Sequence, residues 1–477
     1  MQGPQQVSNS ENPAAVPGEA RIISTAKVQE DSTTGAVLEK FASENKVQFF
    51  LISFVDLLGV LRSKLVPASA IKKVADSGPG FAGYATHFRM TPADPDMIAI
   101  PDPTSVIQLP WKKEVAWVAS DLYVNGQLLK QAPRQVLKEQ IKKAADKGYR
   151  MKTGVECEFF LIRRDRAFAS GIKAAEAYDT TPKPCYRQGS LMKQYDVISK
   201  LLEYMNEMGW KPYQADHEDG KCQFEINWEY DDCLATADKH VFFKFMVKTV
   251  AELYGLQASF MPKPFRNQTG NGCHCHVSLW TVDKPEERNL FLDTTEEMGL
   301  SGLAYQFLAG ILLNAKALSV VYNPTVNSYK RLDGKNPSSG SSWAPPSYVS
   351  YTGNNRTHMV RIPDKGRFEV RRPDGAANPY LLQAALLASG LSGIEKELDC
   401  GPRCDWNAEE RGPPEGMKFD ALPENLLDAL REFERSEYLK ETLGTEFIRS
   451  YYHIQMEQWK SYSSFISTWE LENTLDC

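Results

Sequence analysis

The chain of 477 residues is long enough for two to four domains at about 150 residues per domain, and its 42% hydrophobic content supports a large core. Its 55 basic and 61 acidic residues give a net charge of -6, without the basic tract of a nucleic-acid-binding protein. No segment reaches the roughly 18 uninterrupted apolar residues of a membrane span, and no apolar signal segment opens the chain. We therefore expect a cytoplasmic protein that binds neither nucleic acid nor a membrane.

The first third of the chain predicts a leader followed by a small strand-rich domain. Residues 1–33 are rich in Gln, Ser, Asn, Pro and Gly, which is typical of a disordered leader. The glycines of residues 78–83 have the spacing of a dinucleotide-binding loop, but the sequence has no strand before them and no helix after them, so they favour an ordinary loop. We predict a helix over 35–45, strands over 47–56, 60–66 and 115–122, and a helix over 134–147.

The second region begins with a strand over residues 154–162, because β-branched and aromatic residues dominate this stretch. Side chains alternate along a strand, so Glu156 and Glu158 point the same way, about 7 Å apart. At an effective dielectric of about 20 their charges repel by roughly 2 kcal/mol. This pair predicts a neighbouring cation, although a strand with one solvated face would also explain it.

The same spacing recurs on three later strands. Each carries two polar residues two positions apart, and the pairs are Gln223 and Glu225, His274 and His276, and Glu369 and Arg371. Glu218 precedes one of these strands in a loop. Helices are predicted over 193–208, 236–254 and 301–320 and through most of the chain after residue 378.

These polar residues predict a metal centre. Carboxylates gathered on one sheet face would be unstable without cations, and hard divalent ions prefer oxygen ligands and accept an imidazole. Arginines that follow would stabilise anionic phosphoryl oxygens. Because the sequence has no Gly-x-x-x-x-Gly-Lys-Ser/Thr motif, nucleotide binding would not be of the P-loop kind. The arginines are Arg331, Arg356, Arg361 and Arg371.

The nine cysteines predict reduced thiols. Their number is odd, and their spacing is not that of a disulfide framework. Cys400 and Cys404 are close in sequence, but no second pair of ligands accompanies them, so we interpret them as loop residues. Without a Cys/His cage the sequence argues against structural zinc.

Several motifs, in the same order, make the chain resemble the glutamine synthetase superfamily from about residue 36 to its end. The motif over residues 263–278, with Thr269-Gly270-Asn271-Gly272 and the two histidines, resembles that superfamily's ATP-site signature. The resemblance implies an α+β fold, with a β-grasp domain over 34–133 and a catalytic domain with a curved antiparallel sheet over 134–477. It also implies a homo-oligomer of two hexameric rings with sites at subunit boundaries. The other matching motifs are residues 156–159, 327–332, 355–356, 361–363 and 367–371.

The resemblance also implies roles for individual residues. Two Mg²⁺ or Mn²⁺ ions would be bound, one by Glu158, Glu218 and Glu225 and the other by Glu156, His274 and Glu369. ATP would be the co-substrate, and the reaction would activate the side-chain carboxylate of glutamate as an acyl phosphate that an amine then displaces. Glutamate would bind Gly270, Arg331 and Arg371; the phosphoryl group would face Arg356 and Arg361; ATP would contact His276 and Ser278.

The chain departs from the ammonia-using members at the amine site. Ala82 takes the position of an acid in their N-terminal loop, Ala85 that of a nearby serine, and Trp343 that of the glutamate on the flap. Deprotonating an amine of pKa near 10 at pH 7 costs about 4 kcal/mol, so a site without both acids is poorly suited to ammonium.

The departures predict a larger, less polar amine. The chain is thus similar to the branch of glutamate–amine ligases that includes γ-glutamylmethylamide and γ-glutamylanilide synthetases. We expect a γ-glutamyl amide formed from an alkylamine or an arylamine. The alternatives are an ordinary ammonia-using glutamine synthetase and a catalytically silent structural or regulatory assembly.

Overall fold

A computed structural model describes most of the chain. The described residues are 33–165, 171–176, 180–282, 286–332, 347–408 and 413–477. Residues 1–32 of the expected leader and the flap position Trp343 lie outside them.

Seven strands form the first sheet. They are β1 (Phe49–Val55), β2 (Leu61–Pro67), β3 (Gly80–Phe81), β4 (Met97–Pro101), β5 (Ile107–Gln108), β6 (Val115–Val124) and β7 (Gln127–Leu128). Their order is β2-β1-β6-β4-β3, and β5 and β7 also pair with β6. The β1–β2 pair is antiparallel and β1 runs parallel to β6, which is consistent with the expected β-grasp domain.

Two further sheets follow. Their strands are β8 (Tyr149–Cys157), β9 (Phe159–Arg164), β10 (Ile172–Ala174), β11 (Pro212–His217), β12 (Gln223–Trp228), β13 (Asp231–Asp232), β14 (Gln257–Ser259), β15 (Cys273–Thr281), β16 (Tyr351–Thr352), β17 (Val360–Asp364) and β18 (Arg367–Val370). One sheet has the order β13-β8-β15-β18-β17-β16, and the other has the order β10-β9-β12-β11 with β14 on β9. Because β8 and β9 belong to different sheets, the two sheets meet at Glu158, which stands between these strands.

Helices flank the sheets and confirm the predicted α+β class. They are α1 (Thr34–Asn45), α2 (Ile71–Ser77), α3 (Pro133–Ala145), α4 (Gln188–Met192), α5 (Tyr195–Glu207), α6 (Cys233–Leu253), α7 (Gly302–Leu313), α8 (Ala315–Tyr322), α9 (Val326–Arg331), α10 (Pro379–Glu395), α11 (Leu426–Arg435), α12 (Glu437–Leu443), α13 (Thr445–Ser463) and α14 (Thr468–Thr474). The central helix α10 is buried over nearly its whole length and packs against α3, α6 and α7. Asn378 caps its N-terminus and Pro379 occupies its first turn, where the missing N–H costs nothing.

The single helix predicted over 301–320 is two helices. Helices α7 and α8 meet at Asn314 with a bend of 76°. The Asn314 side-chain amide donates to the Gly310 carbonyl at 2.9 Å, which satisfies an acceptor at the end of α7. Among the described residues no single helix is long and apolar enough to cross a membrane, and only this bent pair passes that test as a unit.

Candidate active site

Strand register brings one group of predicted ligands together on the six-stranded sheet. Glu156 of β8 lies opposite His274 of β15, and His276 lies opposite Glu369 of β18. Directly opposed residues share a face of a sheet, so all four side chains converge. Glu156 contacts His274 Nδ1 at 3.2 Å and His276 Nε2 at 2.8 Å, and His274 Nδ1 lies 3.4 Å from Glu369 Oε1.

This first group has the donor types of a divalent metal site. Donor atoms of Glu156, His276 and Glu369 lie within 4.8 Å of one another. The resemblance had implied His274 as the histidine ligand, whereas the geometry brings both histidines to Glu156. Burial pushes the pKa of Glu156 upward, but hydrogen bonds from His274 and His276 outweigh it and lower that pKa well below its usual value.

A second group lies where the two C-terminal sheets meet. Glu158 stands between β8 and β9, Glu225 lies on β12, and Glu218 follows β11. Their carboxylate oxygens lie within 4.8 Å of one another. The two groups sit side by side because Glu156 and Glu158 are two residues apart in the chain. The single strand predicted over 154–162 was wrong: β8 and β9 separate at Glu158 and belong to different sheets.

The second group is electrostatically unfavourable unless a cation is bound. Burial, with the charges of Glu158 and Asp216, raises the pKa of Glu218 to about 8. Burial and the charges of Glu156 and Glu218 raise the pKa of Glu225 well above its usual value. A hard divalent cation favours ionised oxygen ligands and would remove this repulsion, so the donor set fits Mg²⁺ or Mn²⁺.

Gln223 orients Glu158 within this group. Its fully buried side-chain amide donates to Glu158 Oε2 at 3.1 Å, to the Gly270 carbonyl at 3.0 Å and to Asn271 Oδ1 at 3.0 Å. The backbone N–H of Gly272 also donates to Glu158 Oε2, at 2.7 Å. The glycine loop over 262–272 therefore packs directly onto the carboxylate group.

Arg331 ends α9 and lies under the same loop. A side chain at Gly270 would meet Arg331 Cγ at 2.7 Å, and one at Gly272 would meet Arg331 Nη2 at 3.0 Å. Arg331 is buried and donates to the Arg372 carbonyl at 3.1 Å. The structure thus brings Gly270, Arg331 and the second carboxylate group together.

Two of the predicted arginines contact Glu369. Arg361, opposite Glu369 on β17, donates to its Oε2 at 2.8 Å, and Arg371 donates to its Oε1. Burial favours a neutral Glu369, but Arg371 and His274 keep the pKa of this fully buried carboxyl below its usual value. Arg356 is exposed and lies close enough to Arg361 for their charges to interact.

His276 and Ser278 occupy successive positions on the same face of β15. His276 Nδ1 lies 2.9 Å from Arg367 Nη1. The Ser278 hydroxyl accepts from Trp280 Nε1 at 2.9 Å and donates to the Lys152 carbonyl at 3.4 Å. Of these partners Arg367 lies in a matched motif but had no predicted role.

Asp216 is a further member of the carboxylate cluster that had no predicted role. It lies on β11 opposite Glu225, and burial together with the charges of Glu156 and Glu158 raises its pKa to about 6. The available signal was its position two residues before Glu218, because that spacing places both side chains on one face.

The two described residues of the predicted amine site do not lie on the two sheets that carry the ligand groups. Ala82 is half-buried and Ala85 exposed, on a turn after β3, at the edge of the first sheet. Trp343 falls outside the described residues.

Comparisons with known proteins give the same family that the sequence motifs resemble. Residues 130–474 match the family described as glutamine synthetase, catalytic domain. The chain belongs to the glutamine synthetase family. As a family member it is a ligase, and its curled catalytic sheet carries the candidate site.

Among the relatives of this glutamine synthetase family member, some are named glutamine synthetase and one is named glutamate–methylamine ligase. The chain is 54% identical over 439 residues to a glutamine synthetase of Rhizobium meliloti (strain 1021), and the match covers 92% of this chain and 99% of the relative. It is 38% identical over 447 residues to a glutamate–methylamine ligase of Methyloversatilis universalis, covering 92% and 98%. The solved structure of a GmaS/ADP complex has a TM-score of 0.87 and 51% identity, covering 92% of this chain and 99% of that one.

Proposed function

We propose that this ligase joins the side-chain carboxylate of L-glutamate to an organic primary amine, using ATP and passing through γ-glutamyl phosphate. The observation that carries the proposal is the adjacency of the two ligand groups where the two C-terminal sheets meet, with Arg361 and Arg371 on Glu369 and Arg331 beside the second group. Phosphoryl transfer needs cations around the transferred group, and this arrangement supplies them.

The carboxylate groups would hold the divalent ions. Glu158, Glu218 and Glu225 would bind one; Glu156, Glu369 and a histidine of β15 would bind the other. Bound there, the metals would neutralise charge that develops on phosphoryl oxygens. His274 and His276 both contact Glu156, so either imidazole can complete the ligand set that contains Glu156 and Glu369.

The remaining residues would orient the substrates. Arg331 and Arg371 would bind the glutamate carboxylates with Gly270, where a larger residue would collide with the Pro262 carbonyl at 2.4 Å. Arg356 and Arg361 would stabilise the transferred phosphoryl group, and His276 and Ser278 would contact ATP. Each role rests on charge and hydrogen-bonding capacity at the position described above.

The choice of an organic amine rests on Ala82, Ala85 and Trp343. These side chains offer no carboxylate to attract ammonium or to remove its proton. The resemblance to a glutamate–methylamine ligase over 92% of the chain supports the same choice.

The amine site would form between subunits. In this proposal the domain over 34–133 of one subunit brings Ala82 and Ala85 to the catalytic domain over 134–477 of its neighbour. Two hexameric rings would give a dodecamer. The edge position of the β3 turn leaves it available for such a contact.

Ammonia is the second candidate substrate. Two relatives named glutamine synthetase are 54% and 52% identical to the chain, more than the named methylamine ligase. A neutral pocket could still accept free ammonia, although it would do nothing to deprotonate ammonium.

An amine panel distinguishes the two substrates. Phosphate release with glutamate and Mg-ATP is measured with ammonia, methylamine, longer alkylamines and aniline. We expect an organic amine to give the highest kcat/KM. Ammonia surpassing every organic amine would assign the enzyme to glutamine synthesis.

Restoring an acid tests the pocket itself. Ala82→Asp should improve kcat/KM for ammonia relative to the best organic amine, and Ala93→Asp, an exposed alanine on a neighbouring loop, should not. Equal effects of the two substitutions would remove Ala82 from the amine site.

A further inference from the structure

A cluster of sulfur and nitrogen ligands lies behind the carboxylate site, on the opposite face of the same strands. Cys157 of β8 lies directly opposite Cys273 of β15. His240, on α6, completes the group, and the donor atoms of the three side chains lie within 4.8 Å of one another. The three residues lie far apart in the sequence, so their spacing showed no Cys/His cage and structural zinc was not expected.

Strand alternation explains why two chemically different sets of ligands share two strands. Glu156 on β8 and Glu158, the residue just after β8, flank Cys157, and on β15 His274 follows Cys273. Successive residues face opposite sides of a sheet, so the oxygen and imidazole ligands point to one side and the thiols to the other. The thiol side packs against α6, where the Thr236 hydroxyl donates to the Thr153 carbonyl of β8 at 2.8 Å.

The cluster is fully buried and its imidazole lacks a full set of partners. Cys157, Cys273 and His240 all have 0% exposure. His240 Nε2 lies 3.9 Å from Cys273 Sγ, and Nδ1 is buried without a hydrogen-bond partner in the described part of the chain. Leaving a buried nitrogen without a hydrogen bond is unfavourable, so a ligand that bonds to the imidazole would stabilise the folded state.

We propose that Cys157, Cys273 and His240 bind a thiophilic divalent cation of the Zn²⁺ class. Two thiolates and one imidazole form a ligand set that such ions use, and Mg²⁺ avoids it. Two thiolates also balance a divalent charge, so the bound centre is neutral, as a dry interior requires. This site is separate from the carboxylate sites of the proposed reaction and does not depend on that proposal.

Binding would connect β8, β15 and α6 at one point. Because Glu156, Glu158 and His274 adjoin the two thiols in sequence, the ion would fix the register of the strands that carry the catalytic ligands. We expect a higher melting temperature for the loaded protein, since an ion that binds only the folded chain stabilises it.

Cobalt substitution tests the proposal on the full-length enzyme. Protein stripped with a chelator is titrated with Co²⁺ in excess Mg²⁺, which occupies the carboxylate sites. We expect one equivalent of Co²⁺ per chain to give thiolate-to-cobalt charge-transfer absorption. Cys273→Ala should abolish the band, and Cys275→Ala, an equally buried cysteine two residues along the same strand, should retain it. No band in the wild type, or one that survives in Cys273→Ala, would overturn the proposal.

A second measurement needs no variant and therefore does not depend on how well Cys273→Ala folds. The wild-type enzyme loaded with ¹¹³Cd²⁺ in excess Mg²⁺ should show a resonance in the range of mixed sulfur and nitrogen coordination. A resonance in the oxygen range alone would mean that the buried cysteines are core residues and that no thiophilic site exists.

Discussion

Glu156 and His274 lie directly opposite each other in the antiparallel β8–β15 pair, with Glu156 Oε2 3.2 Å from His274 Nδ1. The next opposed pair, Cys157 and Cys273, faces the other side of the sheet. One register therefore assembles the oxygen-rich candidate site and, behind it, a sulfur-rich cluster. If one of these strands slipped by one residue, its carboxylate or imidazole ligands would turn to the thiol side of the sheet and its thiol to the ligand side.

The stability of the metal-free enzyme should decrease as the pH rises between 4.5 and about 8. Burial and neighbouring carboxylates raise the folded-state pKa of Glu218 above its ordinary value of 4.5, so in this window the folded chain retains a proton that the unfolded chain has released. Stability falls with pH wherever the folded state binds more protons. Saturating Mg²⁺ should flatten the slope because the ion binds the ionised carboxylates.

Chemical denaturation at several pH values, with chelator or with Mg²⁺, measures this effect. Glu218→Gln should reduce the pH dependence of the metal-free protein, whereas Glu229→Gln, an exposed position nearby, should leave it unchanged. A metal-free stability that increases over this window would show that the carboxylates are not crowded.

Gln223→Leu should weaken metal binding. The substitution removes four hydrogen bonds, of which three are donated by the side chain, including the one that orients Glu158, and one is accepted from the Gly220 N–H. It nearly preserves the side-chain volume. Loss of such a supporting contact typically costs about 10–100-fold in metal affinity. The Mg²⁺ concentration for half-maximal activity should rise accordingly, and it should stay constant in Gln257→Leu, a partly exposed glutamine on β14. An unchanged Mg²⁺ requirement in Gln223→Leu would contradict the orienting role.

Gly272→Ala should lower kcat strongly, whereas the free energy of unfolding should fall only modestly. The added methyl would lie 2.8 Å from His274 Nε2 and 2.9 Å from Glu158 Oε1, so it would displace a residue of each ligand group. Those atoms are the ends of side chains, and we expect a stability loss of only about 1–3 kcal/mol. Steady-state kinetics and thermal melting measure the two effects. Gly189→Ala, where the methyl meets nothing within 4 Å, should behave as the wild type.

Much of the site was visible in the sequence because its ligands follow a local rule. The period of two along a strand placed His274 and His276 on one face, and the motifs around them indicated the family from local sequence alone. Most element positions followed from similar local patterns, whereas the α+β class was implied by the family resemblance. Alternate residues of β8 are buried, as a period of two along a strand predicts.

The amino-acid sequence was enough to predict which side chains share a face of a strand and which family the chain resembles, because both depend on neighbouring residues. The folded structure was needed to show which strands are adjacent and in what register, and thereby that Cys157 lies opposite Cys273 with His240 on the helix beneath. It also decided that Asp216 joins the crowded carboxylates. These pairings join residues more than a hundred positions apart in the case of Cys157 and Cys273, so they depend on packing the sheets and α6 together, which no local pattern encodes.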